Sequence, residues 1–374
     1  MVLKQLELLN FRNFEHVVVA FGDFKNFLIG KNAQGKTNIL EAIYILCLSK
    51  SFRTNIDQEA IRFSENHYII KGNFETDSGN RKEIAITYSI KHGKIIVINH
   101  KRLHSTSELI GDFPVVLSSP DEYIITSGPP INRRKFIDIL LSQLNKQYFL
   151  NLIDYNRILQ QRNKVLLSWK TANHIAPSII EPWNENLIRS GSKIIEYRHH
   201  FSLLFSDRLT RIYSDLSDED EKLTFEYKTN IMGENEKEIN NCFREKLAEV
   251  CYQEQKRGIS LIGPHRDDFE IKINGKDVRK YGSRGQHKTV LIALALAQFQ
   301  ILKEKLGETP LMLIDDLYSE IDDHRRNRIL DSLAEIKQVF ITATLPHEDS
   351  SICNRNKFYI IDSGTVKPMN HLIE

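Results

Sequence analysis

Eight consecutive residues, Gly30-Lys31-Asn32-Ala33-Gln34-Gly35-Lys36-Thr37, spell the phosphate-binding loop G-x-x-x-x-G-K-[ST]. Such a loop works only between a buried strand and the first turn of a helix, so it dictates an α/β core. The flanks agree. Phe27-Leu28-Ile29 reads as a short buried strand, and Ile39, Leu40, Ile43 and Leu46 recur at helical spacing over residues 38–48. Successive backbone N–H groups of the loop converge at a helix N-terminus, where the dipole favours phosphate oxygens. Gly30 and Gly35 let the backbone approach the ligand, Lys36 reaches the β- and γ-phosphates, Thr37 is a Mg²⁺ ligand, and Asn38 continues the nucleotide site. The chain is therefore expected to bind ATP with Mg²⁺.

At 374 residues and 41% hydrophobic content, the chain has room for two or three domains with a sizeable core. The longest apolar run, residues 290–297, is too short to span a bilayer, and no signal-peptide pattern opens the chain, so a cytoplasmic location is expected. Cys47, Cys242, Cys251 and Cys353 are scattered without a C-x-x-C pair, which points to neither a disulfide framework nor a zinc site. The overall charge of +2 conceals an asymmetry: residues 131–210 carry a net +6 and residues 211–250 a net −5. A directed polar contact with a partner and two solvated helical faces explain this equally well.

Residues 1–21 alternate like an antiparallel strand pair about a turn at residues 10–13, and strand-like runs at 68–74, 83–90 and 94–98 suggest an antiparallel sheet beside the nucleotide core. From Ile131 the pattern is helical. Ile137, Leu140, Leu144, Tyr148, Leu152, Tyr155 and Leu159 mark one face over about seven turns. A second helix carries Trp183, Leu187, Ile194, Phe201, Phe205 and Leu209, with Pro177 and Pro182 in the break. After residue 250 the α/β pattern returns. The expected division is thus an N-terminal head segment (1–130), a helical arm or insertion (131–250) and a C-terminal head segment (251–374).

Leu311-Met312-Leu313-Ile314 is an all-apolar run that ends in Asp315-Asp316. A strand delivering a carboxylate beside the phosphate loop is the second element of a P-loop ATPase: Asp315 for the metal, Asp316 for the attacking water, with Lys36 as its catalytic companion. Ser283-Arg284-Gly285-Gln286 precedes an amphipathic helix over 289–303 and makes a second anion-binding helix end, which would meet the γ-phosphate held by another copy. An ordinary capping serine is the alternative. Ser319-Glu320-Ile321-Asp322 follows the Asp-Asp pair, with Ser319 and Asp322 as candidates facing the same partner.

This ordered set resembles the ATP-binding-cassette heads of the SMC and RecF group. The runs Leu8-Leu9-Asn10-Phe11-Arg12-Asn13-Phe14, Gly35-Lys36-Thr37-Asn38-Ile39-Leu40-Glu41-Ala42-Ile43, Ser51-Phe52-Arg53-Thr54, Arg133-Arg134-Lys135-Phe136-Ile137-Asp138 and Gly263-Pro264-His265-Arg266-Asp267-Asp268 narrow the likeness to the RecF family of bacterial recombination mediators. The resemblance spans nearly the whole chain, whereas SMC proteins insert coiled coils that this chain cannot hold. It implies an ABC-type P-loop ATPase head with an antiparallel β subdomain and an inserted helical arm. It further implies a protein of DNA repair, recombination and replication that dimerises on ATP, binds double-stranded and gapped DNA, and acts with RecR and RecO to load RecA. By the family pattern Lys36, Thr37, Asp315 and Asp316 serve nucleotide and metal, while Ser283 and Gly285 reach across the dimer. His287 stands where the family usually has Gln. Leu345 follows Thr342-Ala343-Thr344 where related transporter ATPases carry a histidine, which leaves Thr344 as a candidate γ-phosphate sensor. Asp316 is one methylene shorter than the usual Glu and predicts slow turnover.

Arg12 and Arg53 are further candidates for stabilising transition-state charge, and Arg133, Arg134, Arg157, Arg162 and Lys164 for contacting DNA phosphates. His265 has no His or Cys at metal spacing and reads as part of a structural turn. A small-molecule P-loop kinase and a purely structural chromosome-binding protein stay open as alternatives.

Overall fold

The computed structural model describes residues 1–171, 179–217, 221–316, 328, 331–333, 336–344 and 355–369. In chain order its elements are β1 (Val2–Phe11), β2 (Phe14–Ala20), β3 (Lys25–Ile29), α1 (Lys36–Leu48), β4 (His67–Glu75), β5 (Arg81–Ser89), β6 (Gly93–Ile98), β7 (Lys101–Arg102) and β8 (Val115–Ser118). There follow α2 (Tyr123–Ser127), α3 (Pro130–Leu144), α4 (Lys146–Thr171), α5 (Glu181–Leu216), β9 (Leu223–Lys228), α6 (Glu236–Arg257), β10 (Asp268–Ile273), β11 (Lys276–Asp277), α7 (Val278–Tyr281), α8 (Arg284–Leu306), β12 (Leu311–Ile314), β13 (Val339–Ala343), β14 (Lys357–Asp362) and β15 (Thr365–Met369).

The chain forms two compact units. The first joins Met1–Tyr123 to Leu291–Glu374. It holds an antiparallel sheet of order β2-β1-β4-β5-β6-β7 and a second sheet of order β15-β14-β3-β13-β12-β8, in which every neighbouring pair except β14 with β15 is parallel. The strands β12 and β13 are buried at every residue, as apolar runs flanked on both sides must be. In β1 the buried Leu6 and Leu8 alternate with more exposed residues, the period of a strand with one covered face. Helix α1 is apolar on all sides and buries every residue from Ile39 to Leu48.

The second unit is Ile124–Val290: the helices α3 to α6 with a three-stranded sheet of order β11-β10-β9. The sequence division after residue 250 and this one after Val290 differ for a clear reason. Residues 268–273 pair as β10 with β9 over six register positions, which ties them to the helical unit. Nor is the helical run from Ile131 one rod. Asn145 is extended at φ −145° and ψ 108°, and its carboxamide oxygen accepts from Tyr148 N at 3.0 Å, ending α3 and capping α4.

Two family-like motifs meet in this unit. Arg133 makes a two-pronged pair with Asp268 at 2.8 and 2.9 Å, and Arg134 donates to the Asp267 carbonyl. Arg198, 2% exposed, donates to Asp138 at 2.7 Å and to the Pro264 carbonyl at 2.7 Å. These residues thus fasten α3, α5 and the turn before β10.

Candidate functional site

The strand–loop–helix unit expected at residue 30 is β3, the loop and α1. Gly30 admits no side chain, because a Cβ there would lie 2.3 Å from the Ile361 carbonyl oxygen of β14. Gly35 has φ +115°, a left-handed conformation open to glycine, and a Cβ would press on the Asn13 carboxamide at 2.8 Å. Both glycines are therefore required by the fold itself, before any ligand is considered.

The carboxylate strand lies where the loop needs it. Thr37 Oγ1 is 3.0 Å from both oxygens of Asp315, and Thr342 Oγ1 donates to Asp315 Oδ1 at 2.6 Å. Asp316 follows with φ 53°, a conformation a short polar side chain tolerates, and its N–H donates to Thr342 Oγ1 at 2.8 Å. One cavity of about 460 Å³ is lined by Asn32, Ala33, Gly35, Lys36, Thr37, Asn38, Arg53, Pro120, Asp315, Asp316, Thr342, Ala343 and Thr344, all in the first unit. That volume suits a nucleotide-sized ligand.

Electrostatics mark the same spot. Burial pushes the Asp315 carboxyl above its ordinary range, and the hydroxyls of Thr342 and Thr37 pull the other way. Burial also lowers the Lys36 ammonium, against the attraction of Asp315 and Asp316. Lys36 is held by the loop carbonyls of Gly30 and Lys31, the latter at 2.9 Å. A hydroxyl beside a carboxylate is a hard-oxygen donor pair that fits Mg²⁺, which takes one or two protein ligands and completes its shell with phosphate oxygens and water. Among the described residues no group of three or more His, Cys, Asp or Glu is placed to hold a metal.

The frame around the loop is built by tertiary contacts that no local pattern announces. Asn13, in the β1–β2 turn, donates to the Gln34 carbonyl at 2.8 Å and accepts from Asn38 Nδ2 at 2.8 Å, so one carboxamide joins the loop to the first turn of α1. Gln34 Oε1 in turn accepts from Ser363 N at 2.6 Å in the β14–β15 turn. Glu41 is fully buried and receives Arg12 Nε at 2.9 Å, Arg12 Nη2 at 2.5 Å, Ser51 Oγ at 2.5 Å and Arg53 Nη1 at 3.4 Å. No loop motif or periodicity signals these roles; a Glu amid the apolar residues of α1 was the available clue.

The two arginine candidates separate on these contacts. Arg53 lines the cavity and donates to Asn38 Oδ1 at 2.8 Å. Arg12 is spent on Glu41 and the Glu59 carbonyl, at 2.7 Å for the latter, and does not reach the cavity. In the second unit Ser283 and Gln286 cap α8 reciprocally: Gln286 N donates to Ser283 Oγ at 3.2 Å and Ser283 N to Gln286 Oε1 at 2.9 Å. Ser283 and Arg284 are exposed. Ser319, Asp322 and Leu345 lie outside the described residues.

Of the candidate DNA contacts, two are displaced by burial. Arg133 is 6% exposed in its pair with Asp268, and Arg162 is 2% exposed, bonded to Glu254 at 2.5 Å, Ser260 Oγ at 2.7 Å and Asn184 Oδ1 at 2.8 Å. Neither can meet a phosphate without breaking its ion pair, which for Arg162 is buried on both sides. Arg134 is half-buried, whereas Arg157 and Lys164 are exposed on α4. His265 bonds to the Tyr155 hydroxyl at 2.6 Å, in keeping with a structural turn, and His287 is buried against Thr126 Oγ1 at 2.7 Å.

Residues 2–362 match the family described as RecF/RecN/SMC N terminal domain. The DNA replication and repair protein RecF of Chloroherpeton thalassium is 39% identical over 350 residues, covering 92% of this chain and 95% of that protein. RecF of Clostridium novyi is 37% identical, with 98% and 99% covered. Among solved structures, the recombination mediator protein RecF-ATP in the RecFOR pathway superposes with a TM-score of 0.91 at 32% identity, covering 98% of this chain and 97% of that one. An SMC head bound to the C-winged helix domain of ScpA shares the fold alone, with a TM-score of 0.54 at 16% identity and 99% and 98% covered. A phosphate loop facing a carboxylate strand, in an α/β head of the ABC type with an antiparallel sheet and a helical insertion, accompanies this likeness from end to end: the chain belongs to the RecF family.

Proposed function

We propose that this chain is an ATP-dependent DNA-binding protein of recombinational repair. It dimerises on ATP, binds duplex at single-strand gaps, and promotes RecA loading together with RecR and RecO in the cytoplasm. The observation that carries the ATP-dependent part is the contact of Thr37 and Thr342 with Asp315 at one wall of the cavity that Lys36 also lines. ATP is a weakly hydrolysed switch. The loop N–H groups and Lys36 bind the phosphates, and Lys36 offsets charge on the β- and γ-oxygens. Thr37 and Asp315 would hold Mg²⁺, which when bound neutralises charge developing on the phosphate oxygens. Asp316, exposed at the cavity, orients the attacking water and accepts its proton. Arg53 and Thr344 sense the γ-phosphate, a reading supported by their presence in the cavity wall.

The head thus supplies one half of an ATP sandwich, and Ser283-Arg284-Gly285-Gln286 of a second copy, with Ser319 and Asp322, supplies the other. The exposure of Ser283 and Arg284 supports that reading. The test is sedimentation of the protein with ATP, ADP or no nucleotide, each with and without gapped duplex. A dimer formed only with ATP, and captured on the DNA, is expected; a species indifferent to nucleotide overturns the proposal.

A further inference from the structure

The whole chain carries a net charge of +2, yet residues 81–104 alone hold six Lys/Arg against a single acid, Glu83, together with His92, His100 and His104. These residues form β5, β6 and β7, the outer edge of the antiparallel sheet. Two of the cations are committed locally. Lys94 pairs with Asp57 at 2.6 Å and the Ser49 carbonyl, and Lys82 sits over the Phe113 ring. The other four, Arg81, Lys91, Lys101 and Arg102, are exposed and make no ion pair within the described residues.

Their placement follows from register. Asn99 and His100 have φ of 46° and 65°, the tight turn that folds Lys101 and Arg102 back beside Ile98 and Val97. Glu83 pairs its backbone with Asn99, which brings Arg81 to the same end of the sheet. Lys91 lies in the β5–β6 turn at the opposite end, where Ser89 faces Gly93. From Gly93 to Ile98 the edge runs about 17 Å at ~3.4 Å per residue. Guarding an edge strand against self-pairing needs one or two lysines on that strand; it does not call for cations at both turns. A duplex presents one phosphate charge per ~1.7 Å of axis, so a 17 Å run offers about ten, enough to engage both ends of this edge.

We propose that the β5–β7 edge of the antiparallel sheet binds the phosphate backbone of duplex DNA, through Arg81, Lys91, Lys101 and Arg102. The proposal rests on the DNA-binding reading above and names a surface for it. Its test compares the full chain with Lys101→Ala/Arg102→Ala and with a control of equal net charge, Lys237→Ala/Lys276→Ala, both exposed positions of the second unit. Affinity for a duplex is measured with ATP from 50 to 300 mM salt. Each lost phosphate contact lowers the salt slope by ~0.9, so two lower it by ~1.8 and weaken binding about 60-fold at 0.1 M salt. That change in the edge variant alone supports the site. A salt-dependent wild type with an unaltered edge variant overturns it, as does an equal change in the control, which would reflect a diffuse field. If the edge variant self-associates by light scattering while its DNA slope holds, the cations guard the edge and the inference falls. A wild type without measurable duplex affinity would instead sink the DNA-binding reading itself, and this surface with it.

Discussion

Replacing Arg162 by Met tests whether the basic composition of the helical unit serves packing or DNA. The guanidinium is 2% exposed and all three of its nitrogens are engaged, by Glu254, Ser260 and Asn184. Its partner Glu254 is 1% exposed and, among the described residues, keeps a single further donor, Leu261 N at 2.7 Å. Arg162→Met therefore leaves a buried carboxylate with one backbone hydrogen bond, and breaking such a pair from one side costs about 3–5 kcal/mol. At ~2–4 °C per kcal/mol for a unit of this size, the melting temperature should fall by roughly 6–20 °C. Urea unfolding followed by circular dichroism measures the loss. The double variant Arg162→Met/Glu254→Gln should recover most of it, since a neutral amide still accepts from Leu261. A loss below about 1 kcal/mol, joined to a reduced salt slope for DNA, would mean that the pair with Glu254 does little for stability and would return Arg162 to the DNA surface.

Lys36→Ala should abolish ATP binding, read with a fluorescent analogue, and leave the thermal midpoint within about 2 °C, because among the described residues the ammonium bonds only to loop carbonyls. Asn13→Ala removes the bond to Gln34 and the acceptor for Asn38; at ~0.5–1.5 kcal/mol each, ATP affinity should weaken on the order of tenfold, and an unchanged dissociation constant would remove Asn13 from the frame of the loop. Burial pulls the His265 imidazole down to about 4, helped by Arg266 and Arg134, so its contribution to stability is complete above the unfolded value near 6.5 and is lost as pH falls toward 4. Between pH 7 and 5 that loss is about 2 kcal/mol. Burial pushes Asp267 up to about 6 against the pull of Tyr227 and Arg198, so it gains stability over part of that window and flattens the parent curve. The difference between wild type and His265→Asn isolates the histidine, and should shrink by that amount on acidification.

Much of the site was legible before the fold. The phosphate loop dictated β3 and α1, and the apolar run into Asp315 dictated β12, because each is a local pattern whose chemistry demands a fixed neighbour. What escaped was set by tertiary contact. The apolar period continues smoothly from α3 into α4, so the break at Asn145 depends on one side-chain cap. The arginines of the helical unit count as charge in a composition, but Arg133 and Arg162 spend theirs inside, on acids 135 and 92 residues away. Thr342, which touches Asp315 and Asp316, lies 27 and 26 residues beyond them on the neighbouring parallel strand, and only the pairing of β12 with β13 brings it there.

In the proposed function, ATP is hydrolysed between two copies of this head. The most direct measurement is hydrolysis per protomer against protein concentration, with and without duplex DNA, with Asp316→Asn as control. A slow rate that rises with concentration and with DNA and vanishes in the variant is the predicted result. A rate that ignores both concentration and DNA, or exceeds about 10 per second, would contradict the account.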